Sequence, residues 1–256
     1  MLVSDLTSIE LVGGESWYNY IWSNIENFSN AYELLEDDKS KKLFAALLNY
    51  RMSRDVSYLN GLVDELDTQY FDSALFDINN VSFADCGAFT GDTIENFIKL
   101  TNGQYKRIYA FEPDDEIFRR LEKNVKDNRW SNVLAYNVGT YSKKAQLQFA
   151  SVKDGTDMAG HISEQGNVII NVDALDNIIL DDIGLIKMDI EGAEYDALLG
   201  CKRLIQKFKP ILAICIYHRR DDYYKLINLV HSMHPDYKLY VRQYAYNDNE
   251  TVLYAV

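Results

Sequence analysis

From residue 80 onward, short apolar runs alternate with amphipathic stretches. The runs at 81–86, 107–112, 133–138, 185–189, 211–217, 237–244 and 251–256 read as strands, and 93–100, 114–127, 194–207 and 222–232 read as helices. Such alternation predicts an α/β fold: a seven-stranded, mostly parallel sheet with helices on both faces. The last two strands have only the turn Tyr246-Asn247-Asp248-Asn249 between them, which predicts a closing antiparallel hairpin. Two further strand candidates, 146–150 and 168–172, bracket a polar, glycine-containing loop that should lie near the carboxyl edge of the sheet, where ligands bind in such folds. Residues 1–80 read helical instead. Leu43, Phe44, Leu47 and Leu48 recur at helical spacing behind Asp37 and Asp38 as candidate caps. A short helix is expected from 57 to 66, and Trp17, Tyr18, Ile21, Trp22 and Ile25 mark another apolar face. The chain therefore divides near residue 80 into a helical front, a cap or an oligomerisation surface, and an α/β domain over 81–256.

Charge narrows the function. There are 26 Lys+Arg against 39 Asp+Glu, a formal net charge of −13, which argues against a nucleic-acid binder that works by neutralising phosphates. With 47% hydrophobic residues the chain has material for a large core. The three cysteines, Cys86, Cys201 and Cys215, are too scattered for a disulfide scaffold or a zinc knuckle. The first basic residue is Lys39, so no basic targeting segment opens the sequence, and no apolar run reaches the roughly 20 residues of a membrane span. A cytoplasmic protein is expected.

The most informative segment is Asp85-Cys86-Gly87-Ala88-Phe89-Thr90-Gly91-Asp92-Thr93, where an apolar strand enters a glycine turn and a helix begins. Glycine lets the backbone bend and approach a ligand, and a helix N-terminus offers N–H groups. The dinucleotide fingerprint G-x-G-x-x-G is not present, which weighs against a nicotinamide-dependent oxidoreductase. Carboxylates at Asp85 and Asp92 suit a ligand with a positive amino group. The next strand ends in Glu112, 25 positions after Gly87, placed to grip the two ribose hydroxyls of an adenosine moiety. The simpler role for Glu112 is to cap the helix that follows.

With these segments, and with Phe111-Glu112-Pro113, Asn137-Val138-Gly139 and Ile186-Lys187-Met188-Asp189-Ile190-Glu191-Gly192-Ala193-Glu194, the chain resembles the FkbM family of class I S-adenosylmethionine-dependent methyltransferases over roughly residues 80–220. Asp-x-Glu-Gly-x-Glu after an apolar strand is the most diagnostic part. Val138-Gly139-Thr140 departs from the more usual Val-Gly-Asp. The resemblance implies a Rossmann-like sheet and S-adenosyl-L-methionine as methyl donor, with S-adenosyl-L-homocysteine as product. It also implies donor contacts from Asp85, Gly87, Ala88, Phe89, Thr90, Gly91, Asp92, Thr93, Glu112, Pro113, Asn137, Val138 and Asp189. The implied acceptor is a hydroxyl of a sugar, a nucleotide-linked sugar or a related small metabolite, and the implied pathway is capsule or surface polysaccharide biosynthesis. A non-sugar acceptor, at nitrogen or of phosphate or phosphoramidate type, is the alternative.

Methyl transfer needs a group that removes the acceptor's proton. His218, just past the fifth parallel strand, is the preferred base because imidazole titrates near neutrality. Asp189 could orient it, act as base itself or hold the donor's methionine portion. Glu191 and Glu194 open a helix, where acids are favourable anyway. Arg219 and Arg220 could bind a phosphate on the acceptor or simply be solvated, and His161 is a lesser acceptor contact. The Asp-Asn pair of magnesium-dependent catechol-type enzymes is missing, so no metal is expected. Homo-oligomerisation is left open.

Overall fold

The apolar faces of the front form three helices: α1 Glu15–Ser23, α2 Ile25–Glu33 and α3 Asp38–Ser53. Asp37 caps α3, its Oδ1 accepting from Ser40 N at 2.7 Å. The helix expected over 57–66 does not form. Asp55 caps a single 3₁₀ turn, Val56–Leu59, which ends before Gly61 at φ +73°. The chain then extends so that Val63 bridges Gln243 and Asp64 N donates to Gln243 O at 2.8 Å. A backbone pairing therefore replaces the helix.

The remaining elements alternate as the apolar runs predict: β1 Ser82–Cys86, α4 Asp92–Leu100, β2 Arg107–Phe111, α5 Asp115–Asp127, β3 Val133–Tyr136, β4 Gly139–Thr140, β5 Ala145–Ala150, β6 His161–Ile162, β7 Val168–Asp173, α6 Leu175–Ile178, β8 Leu185–Met188, α7 Glu194–Leu199, α8 Lys202–Phe208, β9 Ile211–Cys215, α9 Asp222–Met233, β10 Leu239–Gln243 and β11 Thr251–Ala255. This computed structural model describes Leu2 and residues 15–151 and 160–256. Part of the expected polar loop, 152–159, lies outside the described residues.

The main sheet has seven strands in the order β10-β11-β9-β8-β1-β2-β3; the pairs from β9 through β8, β1 and β2 to β3 are parallel, and β10–β11 is an antiparallel hairpin. β1 is buried along its whole length, as the central strand of a sheet covered on both faces must be. Three short elements, β4, β6 and α6, escape the sequence pattern. β4 and β6 have two residues each and join β7 and β5 in a second sheet, order β4-β7-β5-β6, over a small core of Phe149, Ile170 and Val172. The single helix expected over 194–207 is two. The break falls at Gly200, where a Cβ would lie 2.0 Å from Tyr141 O so that only glycine fits, and Asp176 caps the second helix through Arg203 N and Leu204 N at 2.7 and 3.0 Å.

The compact units divide differently from the expected boundary near 80. One comprises Met1–Asp72 with Cys215–Val256, the other Ser73–Ile214. The first is joined by the pairing of Leu35 and Val63 with β10 and by Arg242, whose guanidinium reaches Asp37 at 2.7 Å. Among the described residues no helix is long and apolar enough to cross a membrane.

Candidate functional site

The second unit carries the glycine turn. β1 delivers Asp85 into the interior, fully buried, and its register partner on β8 is Lys187, 3% exposed, with Nζ 3.0 Å from Asp85 Oδ1. The same ammonium donates to Gly87 O at 2.8 Å. Burial pushes the Asp85 carboxyl above its usual range, and Lys187 opposes that shift. Sequence reasoning assigned Lys187 no role. The available signal was a lysine inside an otherwise apolar strand, which requires an acid on a neighbouring strand.

Gly87 has φ +78°, and a Cβ there would meet Asp189 O at 1.9 Å. The glycine is thus required by the close approach of the loop after β8, a reason different from the ligand approach that the turn suggests. Gly87 N and Ala88 N both donate to Phe111 O at 3.0 Å, and Asp189 N donates to Cys86 O at 3.1 Å. These bonds bring the turn, the end of β2 and Asp189 together. Gly91, at φ +95°, is pressed by the Trp130 ring 2.9 Å from an added Cβ, and Thr90 O accepts from Asn124 Nδ2. Asp92 and Thr93 open α4.

Glu112 is buried and spans two segments: Oε2 accepts from Phe89 N at 3.1 Å and Oε1 from Asp114 N at 2.9 Å. The capping role belongs to Asp114, whose Oδ1 accepts from Glu116 N and Ile117 N. Glu112 is therefore not the cap of α5. Burial raises its carboxyl from 4.5 to about 7, against the two backbone bonds. Phe89 sits at φ +46° with its ring 39% exposed, a conformation disfavoured for a bulky residue. Pro113 is half-buried beside Gly139. Exposed Asn137 donates to Asp115, and Val138 borders a cleft of about 620 Å³ that Lys144, Asn171 and Asp173 also line.

Past β8, Asp189 is half-buried and its charge, with that of Asp92, helps raise Asp85. Glu194 is fully buried and folds back on its own loop, Oε1 accepting from Ile190 N at 2.9 Å, while Glu191 and Gly192 turn the chain at φ +56° and +92°. Around the glycine turn the carboxylates Asp85, Asp92, Glu112 and Asp189 thus outnumber the buried ammonium of Lys187. Such a surplus favours a positively charged ligand. Burial pushes the Cys86 thiol up to about 12, leaving it inert.

His218 belongs to the other unit, where it follows β9 with its ring 4.1 Å from that of Tyr217. Arg219 N donates to buried Asp222 Oδ2 at 2.7 Å, fixing the loop that carries it. His161 lies exposed on β6.

A family model for the methyltransferase FkbM domain matches residues 85–247. Among solved structures, methyltransferase FkbM from Methylobacillus flagellatus KT superposes with a TM-score of 0.81 at 30% identity, over 94% of this chain and 60% of that one. The present chain therefore spans about 60% of the length of that relative. A putative rRNA methylase from Clostridium thermocellum gives a TM-score of 0.48 at 10% identity, covering 71% of this chain and 88% of its own. Aeropyrum pernix fibrillarin, solved with natively bound S-adenosyl-L-methionine, gives 0.46 at 13%, covering 78% and 73%. No curated protein matches.

Proposed function

The chain belongs to the FkbM methyltransferase family, and on that premise we propose that it transfers a methyl group from S-adenosyl-L-methionine to a hydroxyl of a sugar, a nucleotide-linked sugar or a related small metabolite, in the cytoplasm, as a step of capsule or surface polysaccharide assembly. The observation that carries the donor site is Glu112. Its two oxygens each accept one backbone bond and retain acceptor capacity, which suits two ribose hydroxyls. Asp85, Asp92 and Asp189 supply the negative field for a sulfonium and an ammonium, and Val138 borders the adenine end. Phe89 and the Gly87–Gly91 turn hold the backbone around the same ligand.

The bound donor supplies an electrophilic methyl group on sulfur. The protein aligns the acceptor, excludes water and takes a proton. In this reading the His218 imidazole receives the hydroxyl proton as the acceptor oxygen bonds to carbon and the carbon–sulfur electron pair departs with sulfur, a contribution of about 10²–10⁴-fold. β8 and β9 are parallel neighbours in register, so Asp189 and His218 follow the carboxyl ends of adjacent strands. Asp189 orients the base or holds the methionine portion of the donor.

Calorimetric titration of the purified protein with S-adenosyl-L-homocysteine, then with NAD, tests the reading without an acceptor. Binding of the first alone supports it. Binding of NAD alone would replace it with an oxidoreductase.

A further inference from the structure

Among the described residues two aromatic side chains sit on left-handed backbone, Tyr70 at φ +68° and Phe89 at φ +46°. That conformation is disfavoured for side chains of this bulk and persists only where the surroundings over-determine it. For Tyr70 the surroundings also compensate. It is 8% exposed, and its N–H donates to Tyr254 Oη at 2.9 Å. Phe89 has a comparable bond, its N–H donating to Glu112 Oε2 at 3.1 Å, but it is 39% exposed. The burial that offsets the strain at Tyr70 is missing at Phe89.

The segment around Phe89 is held at both ends. Gly87 N and Ala88 N donate to Phe111 O on the entry side, and Thr90 O accepts from Asn124 Nδ2 at 2.9 Å on the exit side. Between them Gly91 N donates to Ala88 O at 2.8 Å, so Phe89 is the first central residue of a four-residue turn. A positive φ at that position is usually met by glycine, asparagine or aspartate. Each of these would relieve the strain, and none would leave an apolar ring in water. Phenylalanine is therefore unfavourable to the free chain on two counts, backbone and exposure. Strain of this kind collects at ligand sites. The exposed ring belongs to the residue whose N–H fixes Glu112, so it stands beside the carboxylate assigned to the ribose.

We propose that Phe89 is a specificity-determining residue of the donor site, its ring forming the apolar wall against the carbon face of the ribose whose hydroxyls Glu112 holds. A ribose carries hydroxyls at its edge and C–H groups on its face, so a carboxylate and an apolar ring side by side complement both. Binding removes the ring from water and so offsets the strain that the free turn retains. The proposal rests on the methyl-donor reading above.

The test combines titration calorimetry of the full chain, using S-adenosyl-L-homocysteine and methylthioadenosine, with urea unfolding of the free protein. Phe89→Asn should weaken both ligands about tenfold, the order expected when the exposed part of a phenyl ring loses its cover. Its urea midpoint should stay at or above that of wild type, because asparagine takes the left-handed turn readily. Phe89→Tyr, which keeps the ring, should bind as wild type does. The two directions separate recognition from packing, since removing a ring that only supports the fold lowers the midpoint. Should asparagine disturb the turn, Phe89→Gly, which also accepts a positive φ, gives the same affinity readout. Unchanged affinity in Phe89→Asn and Phe89→Gly overturns the proposal. So does a loss confined to S-adenosyl-L-homocysteine, because methylthioadenosine carries the same ribose without the amino acid. Failure of wild type to bind either ligand would instead remove the donor reading, and the proposal with it.

Discussion

At the scale of single residues the site is organised by two buried charges that do different work. Lys187 joins Asp85 to the carbonyl of Gly87, so removing it leaves a buried carboxyl without its cation and a turn without its anchor. Breaking a buried pair from one side typically costs about 3–5 kcal/mol, whereas replacing both partners costs much less. Lys187→Met should lower unfolding stability by that order in urea titration, and Asp85→Asn with Lys187→Met should recover part of the loss. Glu112 carries one part of the pH dependence, beside Asp85, which burial also raises. The Glu112 carboxyl is raised to about 7 in the folded chain from 4.5, so between those values the folded state keeps a proton that the unfolded state has released. Its contribution to stability is complete below about pH 4.5 and declines as pH rises toward 7. Under the proposed role of Glu112, donor binding runs the other way, because ribose hydroxyls would donate to the ionised form. S-adenosyl-L-homocysteine affinity should therefore rise from pH 6 to 8 with proton release, and Glu112→Gln should flatten both trends.

At the scale of elements, the features legible in the sequence are those set by local pattern. β1, β2, β8 and β9 are apolar runs bounded by turn residues, and Asp37 and Asp55 are caps recognisable from type and place. Asp85, Gly87 and Glu112 could be chosen because turn and acid follow each other in order. Other features required a partner distant in sequence. The glycine at the break between α7 and α8 is required by a carbonyl 59 positions upstream of Gly200, and periodicity alone runs straight through the break. The reason for Gly87 is hidden similarly, since Asp189 O occupies the space of its missing side chain. The cap at the break is independent of the donor site. Asp176→Ala should cost about 1 kcal/mol, the usual value of a lost N-cap, while S-adenosyl-L-homocysteine affinity stays constant. A change in affinity would mean that α8 supports the donor turn.

At the scale of the whole molecule, the boundary read near residue 80 follows a real change of pattern, from helical spacing to strand alternation. Cohesion follows a different line because the front and the C-terminal hairpin share one core. Glu36 N donates to Leu239 O at 2.9 Å, Asp64 N to Gln243 O at 2.8 Å, and Val241 N to Ser40 Oγ at 2.9 Å. Arg242, 4% exposed, has its carboxylates at Asp37 and Asp72. Phe28 and Phe44 pack edge-on against Tyr224 and Tyr223 at 5.0 and 6.3 Å. These partners are roughly 170 to 205 positions apart, beyond the reach of any local pattern. The arrangement predicts the outcome of a truncation. A chain beginning at residue 81 keeps every strand of the main sheet, so a division at 80 would leave it folded. It also leaves Arg242 without both acids, uncovers the β10 backbone and exposes the two tyrosine rings. An unpaired buried charge and an open sheet edge together favour unfolding and association. The truncated protein should elute as aggregate in size-exclusion chromatography and lack a cooperative urea transition. A monomeric species with a sharp transition would show instead that the α/β part is autonomous and that the helical front is a detachable cap.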